Sequence, residues 1–196
     1  MTEAGAGRYD RFPEGFFSRI DDSPDRAFYN DARLVTHIDD GAIAAVGRAY
    51  QQLGIGIAGR TLDVMASWVS HLPAEPEALI VAGMNAHELA ANGAARGGVV
   101  VDLNRHQTLP FADRSFDAAT CCVSVDYLTR PLEVFDEVAR VLRVGAPFCT
   151  TFSNRCFPTK VIRGWAGTDD RTHVAVVSEY FRLSGPWTEP QASVSG

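Results

Sequence analysis

The sequence predicts an α/β fold built on a doubly wound, mostly parallel sheet. From residue 60 onward, short apolar runs alternate with segments whose apolar residues recur at helical spacing. The runs are continuous rather than alternating, as in "GGVVVDL" at 97–103, which indicates strands buried on both faces. Such an alternation favours an open sheet with helices on both faces and right-handed crossovers. The 196 residues, 46% of them hydrophobic, suffice for one domain with a full core.

Residues 1–56 are predicted to form a helical extension ahead of the sheet. Residues 1–25 are polar and contain Gly, Asp and Pro, which predicts an irregular chain. Two helical stretches follow, at 26–39 and 40–54. Acidic residues at the start of the second stretch are candidate N-terminal caps, and Gly54 ends it. Its apolar face consists of Ile43, Val46, Tyr50 and Leu53.

Residues 57–196 are predicted to form the α/β core, which joins the extension in a single domain covering residues 1–196. Five buried strands are expected in this core, at 60–66, 78–83, 97–103, 116–125 and 146–153. Three helices are expected between these strands, at 69–74, 86–95 and 131–143. The last helix has the clearest signals, because Pro131 suits a first turn and its apolar residues share one face.

The C-terminal part of the chain has two interpretations. Segment 167–185 fits a helix capped by an aspartate, and a strand over 173–181 is the alternative. Residues 186–196 provide at most one short edge strand. The sequence therefore predicts a sheet that is shortened at its C-terminal edge.

Charge and hydropathy exclude several classes of partner. The formal net charge is −6, and Lys160 is the single lysine beside seventeen dispersed arginines. A nucleic-acid-binding protein needs a clustered basic face, so no nucleic acid is expected as a partner. No apolar run is long enough to span a bilayer, and "MTEAGAGRYD" lacks the apolar core of a signal peptide. We therefore expect a cytoplasmic protein without a membrane partner, and the oligomeric state stays open.

The cysteines predict neither a disulfide framework nor a metal site. Cys121 and Cys122 are adjacent and point to opposite faces of a strand, and Cys149 falls in another buried strand. The sequence identifies no histidine partner that would activate Cys156 as a nucleophile. Free thiols that pack as small hydrophobic groups are the expected state, and no His/Cys spacing indicates zinc.

Polar residues mark three successive strand ends of the predicted sheet. Asp63 lies in the first strand, Asn85 follows the second, and Asp102 ends the third. In open α/β sheets, ligands bind beyond the carboxyl ends of the strands, so these groups are candidates to contact a nucleoside. Each residue also has a purely structural alternative as a helix cap or a turn residue.

The run "VVVDLNRHQTLPFADRSFDAATCCVSVDYLTRPLEVFDEVARVLRVGAPFCTTFSN" carries a family resemblance. It resembles the second half of class I S-adenosylmethionine-dependent methyltransferases, of the small-molecule type related to ubiquinone and menaquinone biosynthesis enzymes. The resemblance covers roughly 45–165 and implies a Rossmann-like methyltransferase fold. The pieces that carry it are Asp102, "LPF" at 109–111, "SFD" at 115–117, "EVARVL" at 137–142 and "VGA" at 144–146.

The resemblance also implies a cofactor, S-adenosyl-L-methionine, and roles for particular residues. Segment 63–69 would receive the methionine part, Asn85 the ribose, and Asp102 with Leu103 the adenine. Residues of the extension would close over the site and shape the acceptor pocket, with Tyr29, Arg33 and His37 as candidates. The implied cofactor-binding residues are Asp63, Met65, Ala66, Ser67, Asn85, Asp102, Leu103, Cys121 and Cys122, the two cysteines through their backbone together with that of Val123.

The chain departs from the family pattern in the first loop and at the ribose position. The family pattern is acidic–x–Gly–x–Gly–x–Gly, and the three glycine positions after Asp63 hold Met65, Ser67 and Val69. Glycine provides positive φ and close backbone approach there, so a different loop geometry is expected. Asn85 stands where the family has an acidic residue, and its neutral hydrogen bonds are expected to be weaker than charge-assisted ones.

The expected function is methyl transfer to a small-molecule acceptor. Such a reaction mainly requires alignment of the reactants and exclusion of water. No catalytic base is identified: His71, His87, His106 and His173 qualify by residue type alone. Asn154 and Arg155 are candidate acceptor contacts. The alternative is a non-catalytic methyltransferase-like domain that binds a nucleoside or acts as an interaction or regulatory subunit.

Overall fold

The computed structural model of the protein describes residues 3–57 and 59–194. Residues 1–2, 58 and 195–196, which the sequence assigns to the irregular start, the core boundary and the C-terminal end, lie outside the described part. One five-stranded sheet dominates the molecule, and all its strands are parallel, in the order β3-β2-β1-β4-β5. The strands are β1 (Arg60–Val64), β2 (Ala78–Gly83), β3 (Ala95–Val100), β4 (Ala118–Cys122) and β5 (Phe148–Thr151).

The winding of the sheet reverses at β1, which lies between β2 and β4. Asp63 of β1 is in register with Val81 of β2 and with Thr120 of β4. In a doubly wound sheet, the crevice beyond the carboxyl ends of the strands at this reversal is the ordinary ligand site. The topology therefore places the loops after β1 and β4 on the two sides of that crevice.

Helices cover both faces of the sheet. They are α1 (Asp25–Phe28), α2 (Asp40–Gln52), α3 (Ala86–Ala91), α4 (Pro131–Val141) and α5 (Asp170–Leu183), with 3₁₀ helices at Glu3–Arg11 and Val125–Tyr127. Val46 and Tyr50 of α2 pack in one core cluster with Ala118 of β4. The next residue, Ala119, belongs to the larger cluster that contains α4 and α5. Because successive residues of a strand point to opposite faces, α2 lies on one face and α4 and α5 on the other.

The predicted fold class is confirmed, and so are several helix boundaries. The side chain of Asp39 accepts a hydrogen bond from the Ala42 N–H and caps α2. Asp169 caps α5 in the same way through the Thr172 N–H, so the strand alternative over 173–181 is wrong. After β5 no further strand joins the sheet within the described residues, in agreement with the predicted short C-terminal edge.

Three predictions of local structure are wrong. A helix was expected at 26–39, but α1 ends at Phe28. The residues that follow it in this segment contain no helix and cross the carboxyl end of the sheet. The start of the chain is not irregular throughout, because Glu3–Arg11 is a 3₁₀ helix. Residues 65–77 contain no helix, because the chain after β1 continues along β2: the Ala66 N–H donates to the Ala82 carbonyl at 2.8 Å. Within the described residues, no helix is both long and apolar enough to cross a bilayer.

Candidate functional site

A cavity of about 210 Å³ lies beyond the carboxyl ends of the strands. The residues that follow β1, β2, β3 and β4 all contribute to its wall. Residues 29–37 of the N-terminal extension, which follow α1, form another part of the wall. Representative lining residues are Met65, Met84, Asp102, Val123, Tyr29 and Phe157. The position is the one expected from the reversal of the sheet at β1.

The loop after β1 is strained in the part that faces the cavity. Met65 stands at the first glycine position of the family pattern, and its φ is +57°. Val123 after β4 has a φ of +45°, and His71 has a φ of +50°. All three residues line the cavity. Positive φ is unfavourable for side chains of this size, and such strain concentrates at functional sites.

Gly83 ends β2 against the backbone of this loop. A Cβ on Gly83 would lie 2.1 Å from the carbonyl oxygen of Ala66 and 3.0 Å from a methyl carbon of Leu89. Any side chain at position 83 would therefore have to displace main chain. The end of β2 lines the cavity with backbone alone.

Asn85 is a helix cap and a clamp on the extension. Its side-chain oxygen accepts hydrogen bonds from the His87 and Glu88 N–H groups, at 2.9 and 3.1 Å. Its amide nitrogen donates to the carbonyls of Tyr29 and Asn30, at 2.9 and 3.1 Å. An amide side chain has two donors and two acceptor lone pairs, so all of its capacity is used. This occupancy is at odds with the role of ribose contact, because Asn85 would have to release a structural partner first.

Glu88 is a cavity residue that sequence reasoning missed. One carboxylate oxygen accepts the main-chain N–H of Arg33 at 2.7 Å, and the other accepts the Ser67 hydroxyl at 2.7 Å. Glu88 thus connects the extension to the loop after β1. Its position one helical turn beyond the end of β2, in the first turn of α3, was the available signal.

Asp63 is buried beneath the cavity in a network of hydroxyl and amide groups. The Thr120 hydroxyl donates to its carboxyl group at 2.9 Å, and Asn92 donates to the Ser70 hydroxyl at 3.0 Å. Burial raises the pKa of Asp63 to about 7, an effect that hydrogen bonds from Ser70 and Thr120 partly offset. The loop segment 65–67 lines the same region, so the structure brings together Asp63, Met65, Ala66 and Ser67 as the sequence predicted.

Asp102 and Leu103 both line the cavity after β3. One carboxylate oxygen of Asp102 accepts the Asn104 N–H at 3.0 Å in a local turn. Within the described residues, the second oxygen accepts no hydrogen bond, and the residue is half-buried. Leu103 is buried beside it.

The two adjacent cysteines have different surroundings. Cys122 lines the cavity, and its sulfur accepts the Thr151 hydroxyl at 3.2 Å. Cys121 points to the opposite face into the core and does not line the cavity. The side chain of Cys121 therefore cannot contribute to the cavity wall. Burial raises the pKa of both thiols, to about 11 for Cys122. All four cysteines are free.

The extension forms one wall of the cavity through Tyr29, Arg33 and His37, as predicted. A buried group of charges, the Lys160 cluster, holds the preceding segment in place. In this cluster, Arg19 pairs with Asp25 at 2.7 Å, and the Lys160 ammonium lies 3.2 Å from Asp25 and 3.0 Å from Asp21. Asn104 also donates to Asp25, at 2.9 Å.

Two histidines face the cavity, and three do not. His37 and His71 line it, whereas His87, His106 and His173 lie elsewhere. Burial lowers the pKa of both lining histidines, and for His71 the nearby His37 adds to the effect. Both imidazoles are therefore neutral near pH 7 and able to accept a proton.

Aromatic and cationic side chains complete the mouth of the cavity. The Tyr127 hydroxyl accepts the Phe157 N–H at 2.9 Å, which fixes two aromatic rings that sequence reasoning missed. Arg155 and Cys156 line the cavity, and Asn154 does not. Within the described residues, no group of three His, Cys, Asp or Glu side chains is arranged to hold a metal ion.

Part of the chain matches a known protein family. A family model described as a methyltransferase domain matches residues 52–150, about half of the chain. No curated protein sequence matches the chain. The match includes β1 to β4, most of β5 and the segment around Asp102, but not the wall formed by Tyr29, Arg33 and His37.

Several solved structures are similar to part of this chain. The YcgJ protein from Bacillus subtilis is 21% identical, with a TM-score of 0.46 over 55% of this chain and 49% of that one. An S-adenosylmethionine-dependent methyltransferase from Mesorhizobium loti is 19% identical, with a TM-score of 0.44 over 54% and 51%. Geranyl diphosphate C-methyltransferase from Streptomyces coelicolor, solved with S-adenosyl-L-homocysteine, is 17% identical, with a TM-score of 0.41 over 55% and 45%. The chain thus spans about half the length of each of these proteins.

Proposed function

The chain belongs to the methyltransferase-domain family, and from this membership we propose that it transfers a methyl group from S-adenosylmethionine to a small-molecule acceptor. The observation that carries the proposal is the cavity beyond the carboxyl ends of β1 to β4, with an unoccupied Asp102 oxygen in its wall. Residues 1–196 would act as a single cytoplasmic domain. Because the arginines are dispersed, nucleic acid is not the proposed acceptor.

The residues of the cavity fit an adenosyl group at the end near β3. Asp102 offers a carboxylate oxygen to an exocyclic amine, and Leu103 and Met84 provide apolar contacts for a flat base. Asp63, Met65, Ala66, Ser67 and Cys122 would surround the methionine part, because they line the adjoining region.

In this proposal Glu88, rather than Asn85, binds the ribose. The amide of Asn85 is fully used, whereas each carboxylate oxygen of Glu88 accepts one hydrogen bond and has a second lone pair. Glu88 lines the cavity and bears the charge that Asn85 lacks. Glu88 would therefore receive the ribose hydroxyls.

The cofactor, when bound, supplies an electrophilic methyl group on a sulfonium. The protein must orient the acceptor, exclude water and remove a proton where the acceptor carries one. Tyr29, Phe157 and Tyr127 provide an apolar wall that excludes water. His37 and His71 are neutral bases at the same wall, so an acceptor hydroxyl or amine would lose its proton to one of them.

A second candidate function has a specific observation in its favour. The backbone of Ala66 fills the space beside Gly83, and residues 65–77 lack the helix whose N-terminus would receive an anionic group. Both features reduce the number of cofactor contacts. A methyltransferase-like domain that serves as an interaction or regulatory subunit without turnover would tolerate them.

Calorimetric titration with S-adenosylmethionine and S-adenosylhomocysteine separates the two functions. We expect binding by the wild type and a loss of about tenfold in Asp102→Ala, because one charge-assisted hydrogen bond to the base is removed. Asp10→Ala, at an exposed aspartate, is the matched control and should bind as the wild type does. No binding at millimolar ligand would favour the subunit, and unchanged binding in Asp102→Ala would refute the adenine assignment.

Turnover requires a separate measurement. The protein is incubated with S-adenosylmethionine labelled in its methyl group and with a small-molecule extract filtered free of macromolecules. Transfer of label into the extract supports the enzyme. Binding of the cofactor without any transfer, across extracts of varied origin, would favour the non-catalytic function.

A further inference from the structure

The guanidinium of Arg33 lies in the cavity wall without a carboxylate partner. One terminal nitrogen donates to the Phe28 carbonyl at 2.9 Å. The other terminal nitrogen is buried and has no hydrogen-bond partner among the described residues. The group stacks over aromatic rings, with its central carbon 4.7 Å from the centroid of Phe28 and 5.4 Å from that of Phe157.

This situation differs from that of other half-buried or buried arginines in the structure. Arg19 pairs with Asp25, Arg8 pairs with Asp136 at 2.7 Å, and Arg140 pairs with Glu137 at 2.6 Å. Buried charges in proteins are ordinarily paired, because an unpaired one loses its hydration without compensation. Arg33 therefore lacks the counter-ion that these other arginines have.

The carboxylates around the cavity do not supply that counter-ion. Glu88 is the neighbour in contact, but its oxygens accept the main-chain N–H of Arg33 and the Ser67 hydroxyl, and it forms no ion pair with the guanidinium within 4 Å. Asp25 is shared by Arg19, Lys160 and Asn104. Arg33 therefore lies in the cavity wall with one buried guanidinium nitrogen unpartnered among the described residues, beside the space where a ligand binds in the proposed function.

We propose that Arg33 is the carboxylate-binding residue of this cavity. A guanidinium presents two parallel N–H donors that match the two oxygens of a carboxylate, and one of these donors is unused here. Arg155, which also lines the cavity and forms no ion pair among the described residues, adds positive charge at the mouth. Together these groups favour an anionic ligand group.

The carboxylate has two candidate sources with the same chemistry. One is the amino-acid part of the cofactor, for which residues 65–77 provide no helix N-terminus. The other is an acidic acceptor. The first source rests on the proposed function, whereas the second does not require the cofactor to bind.

The first test compares S-adenosylhomocysteine with 5′-methylthioadenosine, which has the same nucleoside but no carboxylate. If the cofactor supplies the carboxylate, Arg33→Gln should lose at least tenfold in affinity for S-adenosylhomocysteine and keep its affinity for 5′-methylthioadenosine. Arg33→Lys keeps the charge without the fork and should lose less. Arg26→Gln, the same change at an exposed arginine of α1, is the matched control.

The second test uses benzoate as a simple aromatic carboxylate, titrated with and without saturating S-adenosylhomocysteine. If an acidic acceptor supplies the carboxylate, the wild type binds benzoate, and Arg33→Gln loses this binding while its nucleoside affinities stay unchanged. Benzoate binding through Arg33 in a protein that binds neither nucleoside would support the proposal and refute the proposed cofactor.

Three outcomes overturn the proposal. The first is that Arg33→Gln binds S-adenosylhomocysteine and benzoate as the wild type does. The second is that the wild type binds no carboxylate probe. The third is an equal loss for both nucleosides without a loss of benzoate binding, which would show a merely structural role in holding the cavity wall. Arg33→Lys keeps these outcomes measurable if Arg33→Gln does not fold.

Discussion

The carbonyl oxygen of Ala66 occupies the space in which a side chain on Gly83 would begin. A Cβ on Gly83 would lie 2.1 Å from that oxygen, and the Ala66 N–H donates to the neighbouring Ala82 carbonyl at 2.8 Å. The loop after β1 is therefore fixed along the end of β2. In this position it replaces the helix that was expected after β1.

Gly83→Ala should destabilise the protein through this contact. We expect a loss of about 3 kcal/mol in the free energy of unfolding, because backbone must move to admit the methyl group. Denaturation in urea measures the change. Gly47→Ala is the control: nothing lies within 4 Å of its Cβ position, and it is inside α2. It should gain about 0.5–1 kcal/mol. Equal stability of Gly83→Ala and the wild type would contradict the described loop.

The strands and the later helices could be predicted because their signals are local. Continuous apolar runs indicated the strands, and Pro131 with one apolar face indicated α4. The predicted burial of all five strands is wrong, because β3 lies at an edge of the sheet and its residues 96–98 are exposed. The loop at 65–77 could not be predicted in this way. Its conformation depends on a backbone hydrogen bond to β2, which is a contact between segments distant in sequence. For the same reason, the path of the extension across the cavity was not visible in the residues of the extension itself.

The candidate site was predictable in position and less so in detail. Asp63, Asp102 and the residues after β1 were found because strand ends in open sheets meet at one edge. Glu88 was missed because a glutamate in the first turn of a helix is also an ordinary dipole partner. The sequence allowed Asn85 as a ligand contact or as a cap, and only the structure shows the partners that occupy it.

Substitutions of Asn85 separate its capping role from its role as a clamp. Asn85→Ser keeps a side-chain acceptor for the start of α3 but removes the donors to Tyr29 and Asn30. We expect it to lose less stability than Asn85→Ala, which should cost about 1–2 kcal/mol. Both variants should expose residues 29–37 to faster proteolysis. If Asn85→Ser is cleaved no faster than the wild type, the hydrogen bonds from Asn85 to Tyr29 and Asn30 do not hold the extension.

Asp63→Asn should change how stability depends on pH. The pKa of Asp63 is raised from 3.8 to about 7, so the folded state holds a proton that the unfolded state loses. Stability from this group is complete below pH 4 and is lost as pH rises through about 7. The variant should match the wild type near pH 4 and exceed it by up to about 4 kcal/mol at pH 8.

Thermal or urea denaturation between pH 4 and 8 measures this difference. Asp126 is also buried, with a pKa of about 7, so Asp63→Asn alone leaves part of the pH dependence in place. The double variant Asp63→Asn with Asp126→Asn should have the flattest profile. Asp10→Asn, at an exposed aspartate, should follow the wild type. A constant gap between Asp63→Asn and the wild type would refute the raised pKa.

The Lys160 cluster should be the most sensitive ionic group in the protein. Lys160 is fully buried and donates to the carbonyls of Asp21 and Ser23 as well as pairing with Asp25. Lys160→Met removes one of the two cations that pair with the buried carboxylate of Asp25 and leaves Arg19 as the other. We expect a loss of about 3–5 kcal/mol in the free energy of unfolding.

An exposed ion pair provides the comparison for this loss. Arg182 pairs with Glu179 and Glu189 at the surface, so Arg182→Met should change stability little because solvent already screens the charges. Hydrogen exchange gives a second readout: Lys160→Met should accelerate exchange in residues 19–37, which the cluster holds against the cavity, and Arg182→Met should not. If both variants lose the same stability, burial of the Lys160 ammonium does not govern the wall of this site.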